Sequence, residues 1–93
     1  MSKRARTFWI RELTSLSNKL PIMYPELNLQ NHCYRRIAYD MACGKKWSDK
    51  YTSMFINDAT IQELEFAVFK MKQYMADKNK LIEDNKLSLK YRK

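Results

Sequence analysis

Residues 31–47 read NHCYRRIAYDMACGKKW, and they hold the only His, both Cys and the only Gly of a 93-residue chain. A gathering of rare residues suggests a reactive centre. Helical spacing gives another reading. At about 100° per residue, Cys33, Tyr34, Ile37, Ala38 and Met41 fall on one side, while His32, Arg35, Arg36, Tyr39, Asp40 and Cys43 fall on the other. The stretch is an amphipathic helix over about 29–43, with Asn28 as a candidate N-cap and Gly44 where a terminating glycine belongs. Lys45 and Lys46 just beyond suit the negative pole of the helix. On this reading Arg36 and Asp40, four apart, pair along the outer face.

Working outward, the same periodicity recurs. Trp9, Leu13, Leu16 and Leu20 form a stripe over about 7–19, and Pro21 is expected to end that helix. Phe8 lies off the stripe. PIMYP (21–25) reads as an extended connector whose apolar side chains meet the core. WSDKYTSMFIND (47–58) fits either a turn or two of helix or a loop. Thr60 and Glu63 have the spacing of a capping box, and Ile61, Leu64, Val68, Met71 and Met75 then form a third stripe. Phe66 and Phe69 lie away from it, so this helix is either buried on two sides or presents an apolar patch. A weaker fourth helix spans about 78–91. With one Gly, two Pro and no Asn-Gly or Asp-Gly hairpin signal, the expected fold is all-α, a single domain of three to four helices. A basic N-terminal arm (about 1–6) and a basic C-terminal tail (about 86–93) flank it.

Composition narrows the function. One glycine cannot build a Walker loop, a dinucleotide fingerprint or the pyrophosphate loop of acetyltransferases, so no nucleotide cofactor is expected. Cys33 and Cys43 on one helix stand about 15 Å apart along its axis. That separation prevents both a shared metal ion and a disulfide. Cys33 lies on the apolar side, and the helix C-terminus disfavours a Cys43 thiolate. No catalytic residue is assigned, and an enzyme using His32, Tyr39 or Cys43 ranks last. No membrane-spanning run and no secretory signal are read, and the expected compartment is the cytoplasm.

The formal charge is +8, concentrated toward both ends. Basic residues interleaved with aromatics suit phosphate contact and base stacking. The candidate nucleic-acid contacts are Arg35, Arg36, Lys45, Lys46, Lys3, Arg4 and Arg6, with Tyr39 and Trp47 as stackers. The bland alternative is a salt-bridged, solvated helix face. No zinc finger, RNP motif or basic zipper occurs, and no characteristic helix-turn-helix turn separates the second and third helices. The leading expectation is a small binding protein for DNA or RNA, or for an acidic protein. The rival is an interaction module, a homodimer or a partner for another protein, using Phe66 and Phe69.

The core His32-Cys33-Tyr34-x-Arg36-Ile37-x-Tyr39-Asp40, with Trp47 following, TIQEL at 60–64 and NKLSLKYR at 85–92, resembles a group of short bacterial proteins. Some of these are described as acetyltransferase-like. The likeness covers about residues 28–92. It implies a cytoplasmic bacterial protein and does not select an activity.

Overall fold

The computed structural model describes residues 3–93, and it is all-α, with no strand among them. Four long helices, α1 (Lys3–Met23), α2 (Asn31–Cys43), α5 (Ile61–Ala76) and α6 (Lys78–Lys90), make the bundle. Two single turns, α3 (Trp47–Lys50) and α4 (Phe55–Asp58), bridge α2 to α5, and a 3₁₀ turn (Pro25–Leu27) bridges α1 to α2.

Side-chain tethers define how the helices run. Arg6 donates to the carbonyls of Ala59 and Ile56, just before α5, and the Tyr24 hydroxyl donates to the carbonyl of Tyr74 near the end of α5. Beginning lies beside beginning, so α1 and α5 are parallel. Asn31 and Arg35 of α2 instead meet Asn18 and Ser17 of α1, which makes α2 antiparallel to both. Helix α6 folds back along α5, with Asp84 beside Tyr74 and Lys70, and so runs parallel to α2.

The three stripes fill the core. Leu13, Leu16 and Leu20 of α1 pack with Tyr34, Ile37 and Ala38 of α2 and with Leu64, Val68 and Met71 of α5. The capping box forms as expected: Glu63 N–H donates to Thr60 Oγ1 at 3.1 Å, and Thr60 N–H donates to Glu63 Oε1 at 2.9 Å. Gly44 ends α2 at φ 69°, its N–H donating to the Asp40 carbonyl at 2.8 Å. A Cβ there would meet nothing within 4 Å, so the need for glycine is one of backbone conformation alone.

Three expectations fail for identifiable reasons. Pro21 does not end α1, which runs on to Met23 with Tyr24 N–H still bonded to the Leu20 carbonyl. Burial of Leu20 and the Tyr24–Tyr74 tether hold the backbone helical where a local preference would break it. Ile22 and Met23 are therefore on the exposed outer turn rather than on the core. Asn28 does not cap α2. It closes the 3₁₀ turn at φ 56°, and Gln30 takes the cap position. Of the basic ends, the described part of the N-terminal arm is helical from Lys3, and in the C-terminal tail Ser88 is buried and Arg92 half-buried.

Candidate nucleic-acid interface

Helix α2 is covered by neighbours on more of its circumference than its two-sided pattern suggests. Asp40, on the expected outer face, is 0% exposed. A buried carboxylate requires donors, and it has them. Trp47 N–H donates to Oδ1 at 2.9 Å, and the Ser88 hydroxyl donates to Oδ2 at 2.5 Å. The Arg92 guanidinium pairs with the same carboxylate. Arg36 does not pair with Asp40. Its two terminal nitrogens donate to Ser88 Oγ and Asn85 Oδ1, each at 2.8 Å. Ser88 thus links both arginines to one carboxylate.

This network frames a cleft of about 300 Å³, lined by His32, Arg35, Arg36 and Tyr39 of α2, Trp47 of α3, Met54, Phe55 and Ile56 at α4, and Arg92 after α6. Among the described residues, three arginines line the cleft and no acidic residue does, so the cleft is cationic. Arg35 spends one N–H on Ser17 Oγ, at 3.0 Å. Its terminal nitrogens make no hydrogen bond among the described residues, which leaves a guanidinium fork able to take a phosphate oxygen pair.

The aromatic lining has unequal members. Tyr39 stacks on Phe55 at 4.1 Å and 12° and meets the edge of Trp47 at 5.9 Å. One ring face is therefore occupied, and Tyr39 builds the floor rather than serving as a free stacking platform. Burial pushes its phenol up to about 12, offset in part by Arg35, so the hydroxyl is neutral and able to donate. Trp47 is half-buried in the lining and meets Tyr39 and Phe55 by edge contacts, at 5.9 and 6.5 Å, rather than by stacking. Cys43 lies outside the cleft lining, and burial pushes its thiol up to about 11, which leaves it protonated at neutral pH.

The remaining sequence candidates disperse. Lys45 is exposed and Lys46 half-buried, beside Trp47 in sequence but outside the cleft lining. Arg4 lines a separate groove with Thr7, Phe8 and Arg11. Arg6 is committed to two carbonyls at 2.7 and 2.6 Å, one of them belonging to the wall residue Ile56, so it props the α4 turn. The Lys3 side chain lies outside the described residues. Phe66 and Phe69, 43% and 59% exposed, are not buried on a second side, so α5 presents an apolar patch. Arg92, with Met54, Phe55 and Ile56, is a lining residue that sequence reading misses. The only signal for Arg92 is its spacing of four from Ser88, which says nothing of Asp40, 52 positions away.

No helix among the described residues is long and apolar enough to cross a membrane. Comparison with protein-family models, with curated proteins and with solved structures finds no match for this chain.

Proposed function

We propose that this chain is a non-enzymatic binding protein that holds single-stranded nucleic acid, DNA or RNA, in the α2–α4 cleft. The supporting observation is the convergence of Arg35, Arg36 and Arg92 with Trp47 on one concave site. A phosphate takes the free fork of Arg35, and the adjoining base lies against Trp47 and Met54. Binding to single strands characteristically combines such a cationic track with an aromatic platform. A cleft near the lower end of small-ligand volumes suits one nucleotide unit rather than a duplex. Lys45 and Lys46 extend the positive surface beyond Trp47 for neighbouring phosphates. Both cysteines are free thiols, in keeping with a reducing cytoplasm.

Fluorescence anisotropy with labelled single-stranded and duplex oligonucleotides tests this reading. Single strands should bind more tightly than duplexes, and affinity should fall steeply as salt rises. Absence of binding at low ionic strength, or a preference for duplex, would overturn it.

A further inference from the structure

The exposed face of α5 carries a second surface. Phe66 and Phe69 meet at 6.4 Å and remain 43% and 59% exposed. Trp9 of α1 and Phe69 line a common groove with Glu65, Val68 and Lys72. Phe8, 52% exposed, packs on the edge of Trp9 at 4.9 Å. Two ring pairs, Phe8–Trp9 on α1 and Phe66–Phe69 on α5, thus stand on either side of one groove. With 150–250 Å² per ring, the open parts of the three phenylalanines amount to roughly 300 Å² of apolar surface, the scale at which a patch marks an interface.

Charge identifies the occupant. Glu65 and Lys72 flank Phe69 by four and three positions, and both are exposed. Neither makes an ion pair among the described residues. Seven positions apart on one helix, they are about 10 Å from each other along the axis and do not meet. In an antiparallel copy of the same helix they do. A twofold axis at the level between residues 68 and 69 sets Glu65 of each copy against Lys72 of the other. An axis between 67 and 68 sets Phe66 against Phe69. The two levels differ by one residue, or about 1.5 Å, and an axis midway between them offsets each facing pair by only about 1.5 Å, so one axis serves both pairings. That is the self-complementarity an isologous contact requires.

We infer that two copies of this chain associate through antiparallel α5 helices, Phe66 and Phe69 at the centre and two Glu65–Lys72 pairs at the edges. The cleft draws on α2, the α3–α4 segment and Arg92, so each copy keeps its own, and the dimer presents two.

Sedimentation equilibrium on the full chain, across a range of concentrations, tests this. A reversible monomer–dimer equilibrium is expected, with Phe69→Ser monomeric. Glu65→Lys and Lys72→Glu should each weaken the dimer on the order of tenfold, by setting like charges face to face. The combined swap, Glu65→Lys with Lys72→Glu, should restore it to within about twofold, because the pairs re-form with reversed sign. All three charge variants alter exposed positions, and retained helicity and melting will show the fold intact. A chain that is monomeric throughout, an open-ended polymer, or a combined swap no tighter than either single variant would overturn the inference. None of these results depends on nucleic acid.

Discussion

Arg92 and Asp40 are joined across 52 positions of sequence, and the pair fastens the segment after α6 to the last turn of α2. Asp40 also draws in the backbone N–H of Trp47 at 2.9 Å. One carboxylate therefore sets the position of two cleft elements, the Trp47 ring and the Arg92 guanidinium. Its placement at 0% exposure makes the arrangement depend on these donors, because a buried carboxylate that loses its cation is disfavoured.

Arg92→Met should therefore destabilise the protein by about 2 kcal/mol. That is below the usual range for breaking a buried pair, because Ser88 and Trp47 still donate to Asp40. In a domain of this size the change corresponds to a fall of roughly 10 °C in Tm. Adding Asp40→Asn should cost less than the two single variants summed, since the charge that Arg92 compensates is gone. Strict additivity in thermal melts would show that the two side chains do not interact.

Tyr34 presents the opposite case. Its ring is 0% exposed, and its hydroxyl finds no hydrogen-bond partner among the described residues. Burial pushes that phenol up to about 12, with smaller contributions from Cys33, Glu26 and Tyr24. Removing an unsatisfied buried polar atom without changing the ring recovers its desolvation cost. Tyr34→Phe should raise stability by about 1 kcal/mol, seen as a higher urea midpoint with an unchanged slope. A loss of stability would mean that the hydroxyl is satisfied in solution.

Acid should weaken the bundle at two carboxylates. Burial pushes Glu63 up, but donors from Lys50, Tyr51 and the Thr60 backbone outweigh it and hold the group below its ordinary value. Asp84 behaves alike: burial opposes, while Tyr74, Lys70 and Lys80 lower it. A depressed carboxyl contributes stability that is fully present above its unfolded value, about 4. That contribution is lost as pH falls through the lower folded value. Urea midpoints should thus hold near pH 6 and drop below about pH 4. Glu63→Gln and Asp84→Asn should each be less stable than wild type at pH 7 and show a shallower acid decline. An unchanged decline in both would place the acid sensitivity elsewhere.

Much of the fold was legible in residues 31–47 and 60–75, where apolar spacing, a capping box and one glycine agree. What escaped is what distant neighbours decide. Asp40 and Tyr39 lie on a face that periodicity assigns to solvent. They are buried because the 47–58 segment and α6 close over that face, and no local pattern announces either cover. Pro21 misled for the same reason: tertiary anchoring overrode a local preference. Of the candidate site, the α2 and α3 residues Arg35, Arg36, Tyr39 and Trp47 do converge, whereas Arg4, Arg6, Lys45 and Lys46 do not line the cleft. Their common charge sign was readable, but their direction was not. Phe66 and Phe69 were legible as misfits of the α5 stripe, and their exposure confirms the misfit.

Arg35 and Arg36 adjoin in sequence, yet they should separate binding from stability. Arg36 holds Ser88 and Asn85, so Arg36→Ala leaves a buried hydroxyl and an amide short of donors. That variant should lose about 1–2 kcal/mol of stability. Arg35 gives one hydrogen bond to Ser17, whose hydroxyl still bonds the Thr14 carbonyl. Arg35→Gln should therefore melt within a few degrees of wild type while binding a single-stranded oligonucleotide about tenfold more weakly, with a shallower dependence on salt. Trp47 fluorescence, followed in a Trp9→Phe background, should change on binding in the parent and change less at equal oligonucleotide concentration in Arg35→Gln. If Arg35→Gln kept the parent's affinity and salt slope, the cleft would not be the binding site, whatever the strength of binding elsewhere on this basic surface.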